Sequence, residues 1–411
     1  MKPLGPIPAG YGAIGGELAI GGKPVSHWVE QAGRTPLFVY SRDRIAQRFE
    51  TLRAAMPDRL KINYAIKANS FGPLLSFVST LADGLDIASG GELELVRATG
   101  FDLGKVSFAG PGKRDLELEA AIAAGVTLNL ESEAEAGRAL AIAERLGVTP
   151  RLAVRVNPDF ELKGSGMKMG GGPKPFGIDA ARVPALVRHI AAAGCDFRGL
   201  HIFTGSQALS AEAVIDMQAK VLDCAHRIAI DAGVTLPKLN MGGGFGIPYF
   251  PGDEPLDIAA VGATLEERFR DLPETLADAE LFIELGRYLV GEAGVYLTRI
   301  VDRKESYGET YLVTDGGLHH QLAASGNFGT VVRRNYPVAI ASRFAAEPAE
   351  PAEEANVVGC LCTPLDRLAD KAHLPRADVG DLVAVFCAGA YGASASPSAF
   401  LGQGPAAEML V

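Results

Sequence analysis

Cysteine is scarce, with five in 411 residues: Cys195, Cys224, Cys360, Cys362 and Cys387. An odd, sparse count speaks against a disulfide framework and suits a reducing compartment. Cys360 and Cys362 lie close together but lack a second Cys/His pair at zinc-finger spacing, so no metal is expected. On a strand their side chains would share one face. Positive charge is also in deficit. Lys and Arg number 39 against 49 Asp and Glu, a net charge of −10, which argues against a nucleic-acid binder. No apolar run reaches the ~18 residues of a membrane span. The opening MKPLGPIPAGYGAIGG has no apolar leader core, so a cytoplasmic protein is expected. What remains, 48% hydrophobic and 21% charged, is an ordinary globular balance. The length suits one large domain plus a second.

Between residues 36 and 285 two patterns alternate. Short runs rich in β-branched residues are each followed by a segment of helical period. The runs are LKINYAI (60–66), GLDIAS (84–89), KVSFAG (105–110), VTLNLE (126–131), RLAVRVN (151–157), FRGLHIF (197–203), PKLNM (237–241) and LFIEL (281–285). ELELVRATG and EAEAGRALAIAERLG read as helices ending at a glycine C-cap. Ser41 is a candidate N-cap for a helix with the apolar stripe Ile45, Phe49 and Leu52. Eight strands with return helices predict an α/β fold, a (β/α)8 barrel over 36–285. A doubly wound sheet is the alternative, but its G-x-G-x-x-G mark is missing after the first strand. After residue 285 the pattern turns strand-like, as it is in GELAIGGKPV near the start. A β-rich domain built from both chain ends, 1–35 and 286–411, is therefore expected. The Pro/Glu/Ala-rich stretch at 345–356 reads as an exposed loop.

In a (β/α)8 barrel chemistry sits at the C-terminal strand ends. There the chain places Lys67, Asp86, Glu92, Arg155, Asn157, His201 to Ser206, Gly242 to Gly244, and Glu284 to Tyr288. Lys67 interrupts the apolar run YAIKAN, where a simply buried charge would be costly. It is either a lysine snorkelling to the rim or an amine desolvated to form an imine. Gly242, Gly243 and Gly244 could cradle a phosphate with backbone N–H groups or simply make a tight turn. Gly205-Ser206 and Arg287 offer further phosphate donors. Glu284 could hold a pyridine nitrogen protonated, or pair with Arg287 or Arg155.

These segments resemble the fold-type III decarboxylases that use pyridoxal 5'-phosphate (PLP): the diaminopimelate, ornithine and arginine decarboxylases, with an alanine-racemase-like fold. The resemblance covers nearly the whole chain, with its motifs in order. YAIKANS matches the cofactor-lysine motif, giving that role to Lys67. LDIASGGELELV matches the second-strand motif, with Asp86 and Glu92 at its acidic positions. GLHIFTGSQ matches the sixth-strand motif, containing His201 and the phosphate-binding Ser206. GGGFG matches the glycine loop. IELGRY matches the motif whose Glu284 pairs with the pyridine nitrogen and whose Gly286-Arg287 meets phosphate. GCLCTPLD matches the segment whose cysteine, here Cys362, acts across a dimer interface. GAYGAS matches the tyrosine motif, placing Tyr391 at the phosphate.

There are departures. Phe203 replaces a histidine that stacks on the cofactor ring, so stacking survives but proton handling there does not. After Cys362, Thr363-Pro364 stands where relatives often carry an acid for the substrate's distal ammonium, with Asp366 further on. His319 and His320 replace other substrate contacts. These features resemble a branch associated with exosortase-type polysaccharide systems and enzymes acting on carrier-tethered amino acids. The resemblance implies a cytoplasmic homodimer that decarboxylates an amino acid through a Schiff base on Lys67, with protonation by Cys362. Two rivals exist. A racemase of the same fold normally meets the ring nitrogen with arginine, and Glu284 disfavours it. An inactive regulatory homologue would be expected to have lost Lys67, Glu284 or Arg287.

Overall fold

The structure, a computed structural model, describes residues 2–161, 167–327, 333–345 and 352–411. Every apolar run noted above forms a strand. In chain order they are β1 Leu60–Ala65, β2 Gly84–Ile87, β3 Val106–Phe108, β4 Thr127–Leu130, β5 Arg151–Asn157, β6 Asp196–Ile202, β7 Lys238–Gly243 and β8 Glu280–Leu285. Each pairs in parallel with its chain neighbour, and β8 closes on β1 from Leu281↔Leu60 to Leu285↔Tyr64. The result is a closed eight-stranded parallel barrel, as the alternation predicts.

Local signals set the return helices. Ser89 caps the helix Gly90–Thr99 by accepting from the Glu92 N–H, and Gly100 ends it in the left-handed region at φ 74°. The helix Glu133–Leu146 repeats the device, with Ser132 accepting from the Glu135 N–H. Each such cap contributes about 1 kcal/mol. The first helix turns Leu93 and Val96, both fully buried, toward the sheet. Truncating Leu93 to alanine would cost roughly 2–5 kcal/mol. Ser41 accepts from the Arg44 N–H at 3.5 Å, and Ile45, Phe49 and Leu52 are buried, as their spacing requires.

The chain divides into two units. One is the barrel, Phe49–Gly246 with Pro255–Gly286; the other combines Met1–Arg48, Ile247–Glu254 and Arg287–Val411. The second unit is β-rich. Its long strand Gly294–Ser306 pairs with Leu37–Tyr40, Glu309–Thr314 and Leu382–Val385, all antiparallel. Ala407–Leu410 adds in parallel to Leu37–Tyr40, tying the two chain ends into one sheet.

Two expectations need correction here. The 345–356 stretch is not loop throughout, because Ala352–Val358 is a strand between Glu309–Thr314 and Arg367–Pro375. Hydrogen bonding on both edges and burial of Ala355 and Val357 override the local Pro/Glu bias. Residues 346–351 lie outside the described residues. At the other end, Val25 starts the helix Val25–Ala32 instead of ending a strand. Among the described residues no helix is long and apolar enough to cross a membrane.

Candidate active site

Lys67 follows β1 directly, in the 3-10 turn Ile66–Ala68. Its side chain is 41% exposed, and its Nζ lies 3.7 Å from Glu284 Oε1 and 5.5 Å from the centre of the Phe203 ring. The other Glu284 oxygen lies 3.0 Å from His201 Nε2. Glu284 is thus held by Lys67 and His201, where the sequence reading offered Arg287 or Arg155 as its ordinary partners. Burial works against its charge. The Lys67 ammonium, the His201 hydrogen bond and the more distant Arg155 outweigh burial and hold its carboxyl at about 2.

Asp86 takes the opposite state. It is buried, its Oδ1 accepts from the Ser107 hydroxyl, and Oδ2 has no partner. Burial and then the Glu284 charge push its carboxyl well above the ordinary carboxylate range, against the Ser107 bond and the Lys67 charge. Two neighbouring carboxyls are thereby driven apart, Glu284 toward a lower pKa and Asp86 toward a higher one. Glu92 is occupied locally, its Oε2 accepting from the Ala88 N–H at 2.6 Å.

The glycine loop brings three strand ends close together. A Cβ on Gly243 would sit 2.2 Å from the Glu284 carbonyl oxygen, and one on Gly244 would sit 2.2 Å from that of Gly205. Only glycine permits both approaches, and Gly244 also has φ +74°. One expectation narrows here. The Gly242 N–H already donates to Asn240 Oδ1 at 2.9 Å, so the cradle offers fewer free donors than three. Ser206 is half-buried, beside this loop. Gly286 is a packing residue, since a Cβ would meet Ala68 Cβ at 2.7 Å.

The sequence reading missed a buried ion-pair network at the ends of β4 and β5. Arg155 donates to Glu131 Oε1 at 2.8 Å, and its guanidinium stands 5.0 Å from the Phe176 ring centre. Glu131 also accepts from the Gly110 and Gly177 N–H groups at 2.6 and 2.7 Å. Lys113 and Glu135 pair at 2.6 Å, both nearly fully buried. Glu131 ends the run VTLNLE, so a search of every strand end would have found it.

Within the second unit, Arg287 donates to the Tyr249 hydroxyl at 2.8 Å and stands 4.7 Å from the centre of the Tyr391 ring. Tyr391 has φ 55°, a sparsely populated region for a bulky residue. Cys360 and Cys362 are exposed and lie on bends, so the one-face strand geometry considered for them does not occur. Thr363 is half-buried. Asp366 is buried, and its oxygens accept from the Leu318 and Leu361 N–H groups at 2.7 and 2.9 Å. His320 bridges the Tyr296 hydroxyl and the Gly404 carbonyl. His319 is fully buried with both ring nitrogens unpartnered.

The donor set fits a phosphorylated pyridine aldehyde. A carboxylate held charged suits a protonated ring nitrogen, an accessible amine suits an aldehyde, and the glycine loop beside Ser206 suits a phosphate. Comparison with known proteins agrees. The model of the family described as "Pyridoxal-dependent decarboxylase, pyridoxal binding domain" matches residues 42–291. L-glutamyl-[BtrI acyl-carrier protein] decarboxylase of Niallia circulans is 35% identical over 379 residues, 92% of this chain and 88% of that protein. Diaminopimelate decarboxylase of Methanothermobacter thermautotrophicus is 32% identical over 407 residues, 96% of this chain and 91% of that one. The crystal structure of Helicobacter pylori diaminopimelate decarboxylase complexed with L-lysine superposes with a TM-score of 0.82 at 26% identity, covering 94% of each chain. This chain therefore belongs to the fold-type III PLP-dependent decarboxylases and is an amino-acid carboxy-lyase.

Proposed function

We propose that the enzyme is a homodimer that uses PLP to remove the α-carboxylate of an aminoacyl group tethered to an acyl carrier protein. The state of Asp366 carries the substrate reading. It is the acid nearest after Cys362 in the chain, and backbone N–H groups claim both of its oxygens. The segment Cys362–Asp366 thus leaves no free carboxylate for a distal ammonium, which disfavours a diamino acid. The 35% identity to a decarboxylase of a carrier-bound glutamyl group supports the same reading.

In this assignment Lys67 Nζ would hold the cofactor, Phe203 would stack on its ring, and Ser206, the loop Gly242–Gly244, Arg287 and Tyr391 would meet its phosphate. When bound, PLP supplies an electron sink for the pair left at the α-carbon. Glu284, kept ionised by Lys67 and His201, holds a proton on the ring nitrogen. His201 orients Glu284 through Nε2. Arg155 adds positive field while fixed on Glu131. Cys362 Sγ of the partner subunit delivers a proton to the α-carbon once carbon dioxide has left. Exposure of Cys362, together with Leu365 at 56%, supports an interface there.

Carbon dioxide release measured over free amino acids and carrier-bound aminoacyl thioesters tests the substrate. Release from the thioester alone is expected, and equal rates with free diamino acids would overturn the tethered reading. Retention of the carboxylate with inverted chirality would make the enzyme a racemase. The shared site has its own test. Mixing inactive Lys67→Ala and Cys362→Ala chains should restore about a quarter of wild-type activity, because half the dimers then hold one complete site of two. No recovery in exchanged dimers would place Cys362 outside the partner's site.

A further inference from the structure

The opposite mouth of the barrel carries a second constellation that decarboxylation does not use. Barrel interiors are normally filled by layers of bulky branched side chains. Here the inward positions near the N-terminal ends of the strands are Asn63 on β1, Ser107 on β3, Asn129 on β4 and Asn240 on β7, and a cavity of about 280 Å³ remains among them. That volume approaches the size of small-ligand pockets. Its wall is incompletely satisfied. Asn129 is 3% exposed, and its Nδ2 donor has no partner; Asn63 is 6% exposed, and its Oδ1 acceptor has none.

The opening is ringed by cations. Lys61, Lys105, Arg198 and Lys238 line it against two acids, Asp83 and Glu280. Glu280 is shared by Lys61 at 2.6 Å and Lys238 at 2.7 Å, and Asp83 is engaged by Arg53 at 3.0 Å from outside the lining. Asp196 meets Arg198 only at 3.4 Å, and the buried Arg198 Nε has no partner. The cations crowd one another. Burial, and then the Arg198 and Arg151 charges, hold the Lys238 ammonium below its ordinary range against its bond to Glu280. Unsatisfied buried donors beneath an opening with surplus positive charge are the elements of an anion site.

We propose that the N-terminal mouth of the barrel binds a small phosphate-bearing anion, with Arg198, Lys105 and Lys238 meeting the charge and Asn63 and Asn129 meeting its polar remainder. One cavity-wall residue, Ser107, also hydrogen-bonds Asp86, and Asp86 neighbours Glu284 and Lys67. Occupancy therefore has a short polar route to the catalytic end.

Isothermal titration of the PLP-loaded enzyme in phosphate-free buffer tests the site, with inorganic phosphate as the first probe and glycerol 3-phosphate as the second. Saturable binding of one anion per chain is expected. Tighter binding of the phosphomonoester would mark an organic phosphate as the natural source, and equal or weaker binding would mark free phosphate. Arg198→Gln and Asn129→Leu should each weaken binding at least about tenfold. Should Arg198→Gln fail to fold, Lys105→Gln on the exposed rim takes its place. No saturable heat up to about 10 mM would overturn the proposal and leave a water-filled cavity. Unchanged affinity in the folded rim and wall variants would also overturn it. So would binding that appears only in cofactor-free enzyme, since that would place the anion at the PLP phosphate site.

Discussion

Strand β8 carries a glutamate at each end, and the two meet different surroundings. Glu280, at the N-terminal mouth, is 41% exposed and held by Lys61 and Lys238. Glu284, at the C-terminal mouth, is 5% exposed and held by Lys67 and His201. Both carboxyls are lowered to about 2, against burial in each case. A similar pKa therefore conceals two different devices. Water and salt screen the Glu280 pairs, which contribute little. Glu284 is desolvated, so its partners must stay in place, and losing one leaves an uncompensated charge. The barrel thus concentrates obligatory charge at the end where we place the chemistry.

The sharpest break in that comparison comes from Lys67→Ala. It removes both the amine and a counter-charge of Glu284, and turnover should fall on the order of a thousandfold or more, with loss of the bound cofactor's visible absorbance. Retention of both would remove Lys67 from the chemistry. Glu284→Gln keeps shape and discards charge. Carbon dioxide release should then drop about a hundredfold, while the absorbance persists. An unchanged rate would make the two ends of β8 equivalent.

These contrasts were only partly legible in the sequence. The barrel was, because each strand is an apolar run of the right length bounded by turn residues, and closure of β8 on β1 follows from the count of eight. Lys67 was legible as a charge interrupting such a run. The Glu131–Arg155 and Lys113–Glu135 pairs were not, because the partners meet only when neighbouring strands align. The partners of Asp366 were hidden for a similar reason. Its position after Cys362 suggests a substrate contact, yet N–H groups from Leu318 and Leu361 claim it through the fold of the sheet. Asn63, Ser107, Asn129 and Asn240 stand in plain view inside their strands, but a run of letters does not show that they leave a cavity.

Asp86 sharpens the comparison through pH. Its folded-state carboxyl is raised above the ordinary 3.8, first by burial and then by Glu284. The folded protein therefore binds more protons than the unfolded chain above that value, and this group's contribution weakens as pH rises. Glu284 runs the other way. Its contribution is full above the ordinary 4.5 and is lost as pH falls toward 2. Asp86→Asn removes the first slope only, so the variant should gain stability on wild type as pH rises above the ordinary 3.8, measured by urea unfolding. A gap that stays constant over that range would mean that Asp86 is ionised.

The smallest expected effect tests the quiet end of β8. Glu280→Gln should lower stability by no more than about 1 kcal/mol, since the carboxylate it removes is 41% exposed. Raising salt to about 1 M should erase most of that difference, because the Debye length then shrinks to about 3 Å. Catalysis should be untouched, as Lys61 and Lys238 take no part in it. The same substitution leaves the cations at that mouth less compensated, so phosphate should bind there more tightly. A salt-insensitive loss, or a fall in turnover, would mean that Glu280 is coupled to the interior as firmly as Glu284, and the division of labour between the two ends of the strand would not hold.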